Sequence, residues 1–262
     1  MIKTLFMRSI FTLLLITIGF LSARSQQWNL ITGYSLGSPK QAMDKNINAV
    51  HSLQAGALYQ LPGIKQLSVG VELGIGIYAK ETIDQTFQFD NFSSVVPVNY
   101  TSNVFNASLL ARLNLLPGEK LVNPYVQARG GLYNFFSNVM IEDPNDPYGC
   151  EALDRENILN DKTLYWSAGG GLQIDIAAFS KKAQRGCVKI DLGTNIIRGG
   201  TIDYINTKHL MDAQTADPDA KPMQVRFVNA STQDIHEHTV AQVYSSPLRL
   251  LEFRVGVVVA LN

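Results

Sequence analysis

The sequence predicts an all-β protein, an eight-stranded antiparallel transmembrane β-barrel with short periplasmic turns and long extracellular loops. Three observations predict it. From Ser68 to Lys80, Val69, Val71, Leu73, Ile75, Ile77 and Ala79 share one parity and Ser68, Gly70, Glu72, Gly74, Gly76, Tyr78 and Lys80 the other, which is the two-residue period of a strand. The same alternation recurs in seven other segments. The links between segments alternate between short and long, as in a barrel with turns on one side of a membrane and loops on the other.

Residues 1–25 read as a secretory signal peptide: Lys3 and Arg8, the uncharged run Ile10 to Leu21, then Ala23-Arg24-Ser25 before a mature start at Gln26. The apolar run of 12 residues is too short for a membrane-spanning helix, which needs about 20. Beyond it the longest strongly apolar run is Val255 to Leu261, which excludes a helical membrane protein. Residues 26–262 then form one barrel.

The first strand, Trp28 to Leu36, is weakly patterned, and a polar loop over 37–48 follows it. Val50 to Leu61 opposes Leu53, Ala55, Ala57 and Tyr59 to Ser52, Gln54, Gly56 and Gln60. Pro62-Gly63-Ile64-Lys65 turns the chain into the Ser68 strand. After a loop over 81–101 that extends the strands beyond the membrane, Phe105 to Leu115 alternates again. Pro117-Gly118-Glu119-Lys120 turns it into Val122 to Phe136. An acidic loop over 141–162, with one helical turn near Ala152 to Leu159, leads to Tyr165 to Ala177. Ser180 to Gly186 is the third short link. Val188 to Ile196 follows, then a loop over 206–246 in which Met223 to Val228 and Ile235 to Tyr244 pair as a hairpin. Leu251 to Leu261 closes the barrel.

A secreted soluble barrel is the competing fold, with apolar side chains inside and polar ones outside. The polar faces here are rich in glycine with a few opposite charges, where a soluble exterior carries abundant Lys and Glu. Trp28, Tyr59, Phe105, Trp166 and Phe179 gather near strand ends, as in the aromatic girdles of membrane interfaces. The expected location is the cell outer membrane.

Segments such as Ser68-Val-Gly-Val-Glu-Leu-Gly-Ile-Gly-Ile and Ser167-Ala-Gly-Gly-Gly-Leu resemble the small outer-membrane β-barrel proteins of the Bacteroidota, including PorT-like proteins, and more distantly OmpA- and OmpX-like barrels. The resemblance covers Gln26 to Asn262 at the level of architecture and brings no catalytic motif. The ending Val259-Ala-Leu-Asn262 lacks the terminal aromatic residue of proteobacterial barrels.

The full chain has 22 basic and 22 acidic residues, and Lys3, Arg8 and Arg24 lie in the signal segment, so 19 bases face 22 acids in the remainder. A net −3 excludes the basic footprint of a nucleic-acid binder. The inward parity collects Glu72, Asp175, Asp191 and Glu252 with Arg112, Arg129, Lys189 and Arg254. Charges withdrawn from water must be paired, so these eight predict a network that plugs the lumen.

No catalytic residue is assigned. His51 and Ser52 are neighbours on one strand and point to opposite faces, so they cannot act as base and nucleophile. His236 and His238 share a strand face and are weak candidates for a metal site, but no third ligand accompanies them. Glu142, Asp143, Asp146, Glu151, Asp154, Glu156 and Asp161 read as a solvated acidic surface rather than a divalent-cation site. Cys150 and Cys187 lie in links on opposite sides of the membrane and are too far apart to bridge each other. The expected role is a non-enzymatic, cofactor-free structural or interaction barrel. Its partners are outer-membrane lipids and lipopolysaccharide, together with a protein partner engaged through the extracellular loops. A narrow passive pore and a lipid-modifying enzyme are the alternatives.

Overall fold

The computed structural model describes residues 28–88, 93–117, 120–142, 152–176, 186–208, 220–228 and 235–261. Residues 1–25, expected as a signal segment, and Cys150 and Phe179 lie outside these residues. The strands are β1 (Trp28–Pro39), β2 (Val50–Gln60), β3 (Leu67–Gln88), β4 (Ser93–Asn114), β5 (Val122–Glu142), β6 (Ala152–Asp175), β7 (Val188–Ile205), β8 (Lys221–Val228) and β9 (Ile235–Leu261). One short helix, α1 (Ala42–Asn46), follows β1.

Each strand from β1 to β6 pairs antiparallel with the next, β7 pairs with β9, and β9 returns to β1. Trp28 stands opposite Tyr59 on one side and Leu261 on the other. That last pairing closes an eight-stranded antiparallel barrel, so the wall has no open edge and the backbone groups of its strands are satisfied by their neighbours. β8 pairs with β9 alone, with Val225 opposite His238 and Phe227 opposite His236. It forms the expected hairpin above the barrel wall.

The alternating side chains sort to the two faces of the wall. Leu53, Ile75, Leu109, Leu164, Phe253 and Val255 are exposed on the outside, whereas Glu72, Arg112, Arg129, Glu252 and Arg254 are buried inside. This is the reverse of a soluble barrel. At the rim where the chain enters and leaves, the Trp28 and Tyr59 rings lie 5.1 Å apart. Phe105 and Trp166 are exposed farther up the outer wall.

The segments expected as loops are in part strand, and 81–101 extends the strands as expected. β3 runs on to Gln88 and β4 begins at Ser93, with Thr82 opposite Asn99 and Thr86 opposite Val95, so most of 81–101 is paired strand. β5 and β6 likewise extend into 141–162, and Asn138 opposite Asn157 and Met140 opposite Arg155 replace the helical turn expected at Ala152 to Leu159. The 37–48 loop loses its start to β1 and holds α1, and 206–246 holds β8 and the first arm of β9. The physical cause is common to these sites: a hairpin already in register adds backbone bonds with each further pair, and Thr, Val, Ile and Tyr at these positions suit an extended chain. Long hairpins therefore rise from one rim, here called upper, while the lower rim has short connections.

A second correction concerns the Ser68 strand. Register shifts between Ile77 and Ala79, so Ile77 faces Asn103 and Ala79 faces Ser102. This bulge turns both Tyr78 and Ala79 to the interior and leaves Lys80 exposed.

Candidate functional site

The lumen is filled in two layers. In the lower layer all eight wall strands contribute a polar side chain: Ser35, Gln54, Glu72, Arg112, Arg129, Ser167, Asn195 and Glu252, in order from β1 to β7 and then β9. Arg129 lies at the centre. Its Nη1 donates to Glu72 at 2.7 Å, its Nη2 to Glu252, and its Nε to Ser167 Oγ at 2.9 Å. Arg254 donates to the second oxygen of Glu72. Two guanidiniums thus meet two carboxylates in a site withdrawn from water, where opposite charges must be matched and their lone pairs satisfied.

A neutral relay joins a fourth ion pair to this centre. Arg112 pairs with Asp191 at 3.0 Å and donates to Gln127 Oε1 at 2.9 Å. Gln127 donates to Asn195 at 2.8 Å, and Asn195 to Glu252 at 2.9 Å. Gln54 bonds the other Glu252 oxygen and Ser35, each at 2.9 Å. The Arg112 guanidinium lies 4.1 Å above the Tyr125 ring, a cation–π contact. Tyr125 has room because Gly171 and Gly193 face it: a Cβ on either would come within 2.6 Å of its hydroxyl oxygen.

Of the eight charges read from the sequence, the structure gathers Glu72, Arg112, Arg129, Asp191, Glu252 and Arg254 into one charge-balanced network. Asp175 and Lys189 stand apart. Asp175 is buried near the lower rim and accepts the backbone N–H of Gly186 at 2.9 Å. Lys189 is its cross-strand neighbour, half-buried, and joins no ion pair among the described residues. Both lie at the strand ends where the wall stops, away from the network centred on Arg129. The relay residues Gln54, Gln127, Ser167 and Asn195 were not singled out beforehand. Their signal is the same inward parity without a charge.

The upper layer is apolar. Tyr78, Tyr133, Phe135, Tyr165 and Tyr204 cluster with Ile197, Ile202, Leu248 and Leu250. Tyr133 packs edge-on against Tyr165 at 5.5 Å and beside Phe135 at 5.6 Å. α1 closes the stack from above, with Met43 and Ile47 fully buried in it. The helix turns back into the mouth through Gln41, at φ 60°. It is fastened by Lys40 N–H to Arg249 O at 3.0 Å and by Thr207 N–H to Asn46 O at 2.8 Å. The exposed Lys208–Asp44 pair at 3.6 Å adds little in water.

The other candidates hold less. His51 is exposed on the outer wall, where its Nδ1 meets the Tyr34 hydroxyl, and Ser52 is buried on the opposite face. The side chains of His236 and His238 lie outside the described residues, as do those of Glu142 to Glu156. Among the described residues no group of three His, Cys, Asp or Glu is placed to hold a metal ion. Cys187 is half-buried, and its carbonyl accepts the Ala260 N–H at 2.8 Å.

No protein-family model and no curated protein sequence matches the chain. Among solved structures it is similar to Neisserial surface protein A, at 9% identity and a TM-score of 0.43, covering 89% of this chain and 97% of that one. It is also similar to a major outer membrane protein from Thermus thermophilus, at 12% identity and 0.40, covering 89% and 98%. The outer membrane protease OmpT from Escherichia coli is similar at 8% identity and 0.30, covering 91% and 98%. The barrel itself is defined by the β1–β9 pairing rather than by these likenesses.

Proposed function

We propose that the chain spans an outer membrane as a closed, non-conducting barrel whose long upper hairpins engage a partner at the surface. The observation that carries this reading is the double seal. A charge-balanced network reaches across the bore from every wall strand, and a packed aromatic layer capped by α1 lies above it. Eight strands leave an interior about wide enough for side chains, and here those side chains occupy it. The apolar outer wall supports immersion in lipid, since a contiguous exposed band of Leu, Ile, Val and Phe is unfavourable in water. The seal argues against the passive pore. The separation of His51 from Ser52 removes the one nucleophile and base pair considered for a lipid-modifying enzyme.

The test is fractionation joined to permeability. The mature protein should remain with outer membranes after alkaline washing and shift in gel mobility on boiling. Liposomes containing it should not swell in small sugars. Recovery in the soluble periplasm contradicts the membrane reading, and steady swelling contradicts the seal.

A further inference from the structure

Arg198 on β7 and Arg249 on β9 are cross-strand partners. Both point outward, because Ile197, Leu248 and Leu250 beside them are buried in the interior. Arg198 is exposed and Arg249 half-buried. Like charges directly opposite each other weaken a sheet, yet among the described residues neither guanidinium has a carboxylate in ion-pair contact. Arg198 lies 5.9 Å from the exposed Trp166 ring. Lys40, also exposed, is tied through its backbone to Arg249 and adds a third cation. Regular β7–β9 pairing breaks just above Arg198 and resumes at Thr201 opposite Pro247.

The position of the pair decides what would neutralise it. The next outward residues below are Ile196 on β7 and Leu251 and Phe253 on β9, with Ile196 and Phe253 largely exposed. On β7 and β9 the exposed residues above include Thr201 and Ser245, so on these two strands the arginines sit where the apolar face ends. A ligand that fills both surfaces has an anion at its head and hydrocarbon beneath it. Guanidinium forks match phosphate oxygens two at a time, and a tryptophan beside them suits the water–lipid boundary.

We infer that Arg198 and Arg249, flanked by Lys40 and Trp166, bind the phosphate of a lipid headgroup whose acyl chains lie along Ile196 and Phe253. This rests on the reading of the outer wall as lipid-facing. The bound phosphate removes the repulsion between the two arginines, so lipid binding and the upper β7–β9 pairing support each other.

The test uses the purified barrel in neutral detergent with Trp28 replaced by Phe, so that Trp166 alone reports. Short-chain phosphatidylglycerol should change its fluorescence saturably. An uncharged glycolipid with the same acyl chains should not, and inorganic phosphate should compete only weakly. Arg198→Gln and Arg249→Gln should each weaken binding about tenfold, the size of one charge-assisted hydrogen bond, while Lys65→Gln at the lower rim leaves it unchanged. If a Gln variant loses its heat-dependent gel shift, Arg198→Lys with Arg249→Lys, which keeps charge without the fork, should still bind more weakly than the parent. Equal binding of the glycolipid, displacement by inorganic phosphate at matching concentration, or unchanged affinity in the double Gln variant overturns the inference. Membrane fractionation and the gel shift report the barrel reading separately, so a membrane-borne barrel without this selectivity defeats only the site.

Discussion

Arg129 on β5 and Glu252 on β9 meet at 2.5 Å across the bore, although their strands share no backbone pairing. The contact ties opposite walls directly. Arg129→Ala leaves Glu72 with Arg254 alone and removes the ion-pair partner of Glu252, and breaking a buried pair by removing one partner costs about 3–5 kcal/mol. The urea midpoint for unfolding from lipid vesicles should fall accordingly, and the current through a planar bilayer should rise above that of the parent. An unchanged midpoint and a silent variant contradict the lock.

Asn195 carries no charge but links Gln127 to Glu252. Asn195→Ala should cost about 1–3 kcal/mol, the range for leaving a buried polar partner unsatisfied, and therefore less than Arg129→Ala. A loss equal to that of Arg129 in the same unfolding experiment contradicts the ordering of centre and relay.

Met43 anchors α1 in the aromatic layer. Met43→Asp buries a carboxylate among aromatic rings unless the helix leaves, so the helix should leave. Amide exchange over 40–48 should then accelerate while amides of β5 near Arg129 stay protected. Unchanged exchange over 40–48 contradicts a docked cap.

Much of the wall was legible because the two-residue period survives wherever one face meets an apolar medium and the other a crowded lumen. Glu72, Arg112, Arg129 and Arg254 fall inside on parity alone. The reading failed at Ala79, because the bulge at Tyr78 inserts a residue that only the opposing Asn103 and Ser102 reveal. It also missed the apolar cap. Tyr133 and Tyr165 share the inward parity of Arg129 and Ser167, and height along the bore, which parity does not encode, separates the layers. Met43 and Ile47 stand four apart in a polar stretch, a helical spacing too short to register as an element. Pairing of the long hairpins was legible at 223–244 and in the extension of the strands through 81–101, but not in 141–162, whose acidic composition reads as a loop.

The two rims differ in their connections, so their exposure should differ in cells. A cysteine replacing Glu81, exposed on the upper arm of β3, should react with an impermeant thiol reagent in whole cells. One replacing Lys65, exposed in the turn between β2 and β3, should react only after the membrane is opened. The reverse pattern inverts the barrel.

Leu109 gives the most direct test of the claim that this wall faces lipid and its charges face inward. It is 71% exposed on the outer surface of β4, three residues from the buried Arg112. An arginine on the lipid face near the bilayer midplane costs about 2–4 kcal/mol, whereas an exposed surface substitution in a soluble barrel is usually within about 0.5 kcal/mol. The measurement is the unfolding free energy of Leu109→Arg in phospholipid vesicles relative to the parent. A loss in the upper range is the predicted result, and stability unchanged within about 0.5 kcal/mol would show that the outer wall does not meet lipid.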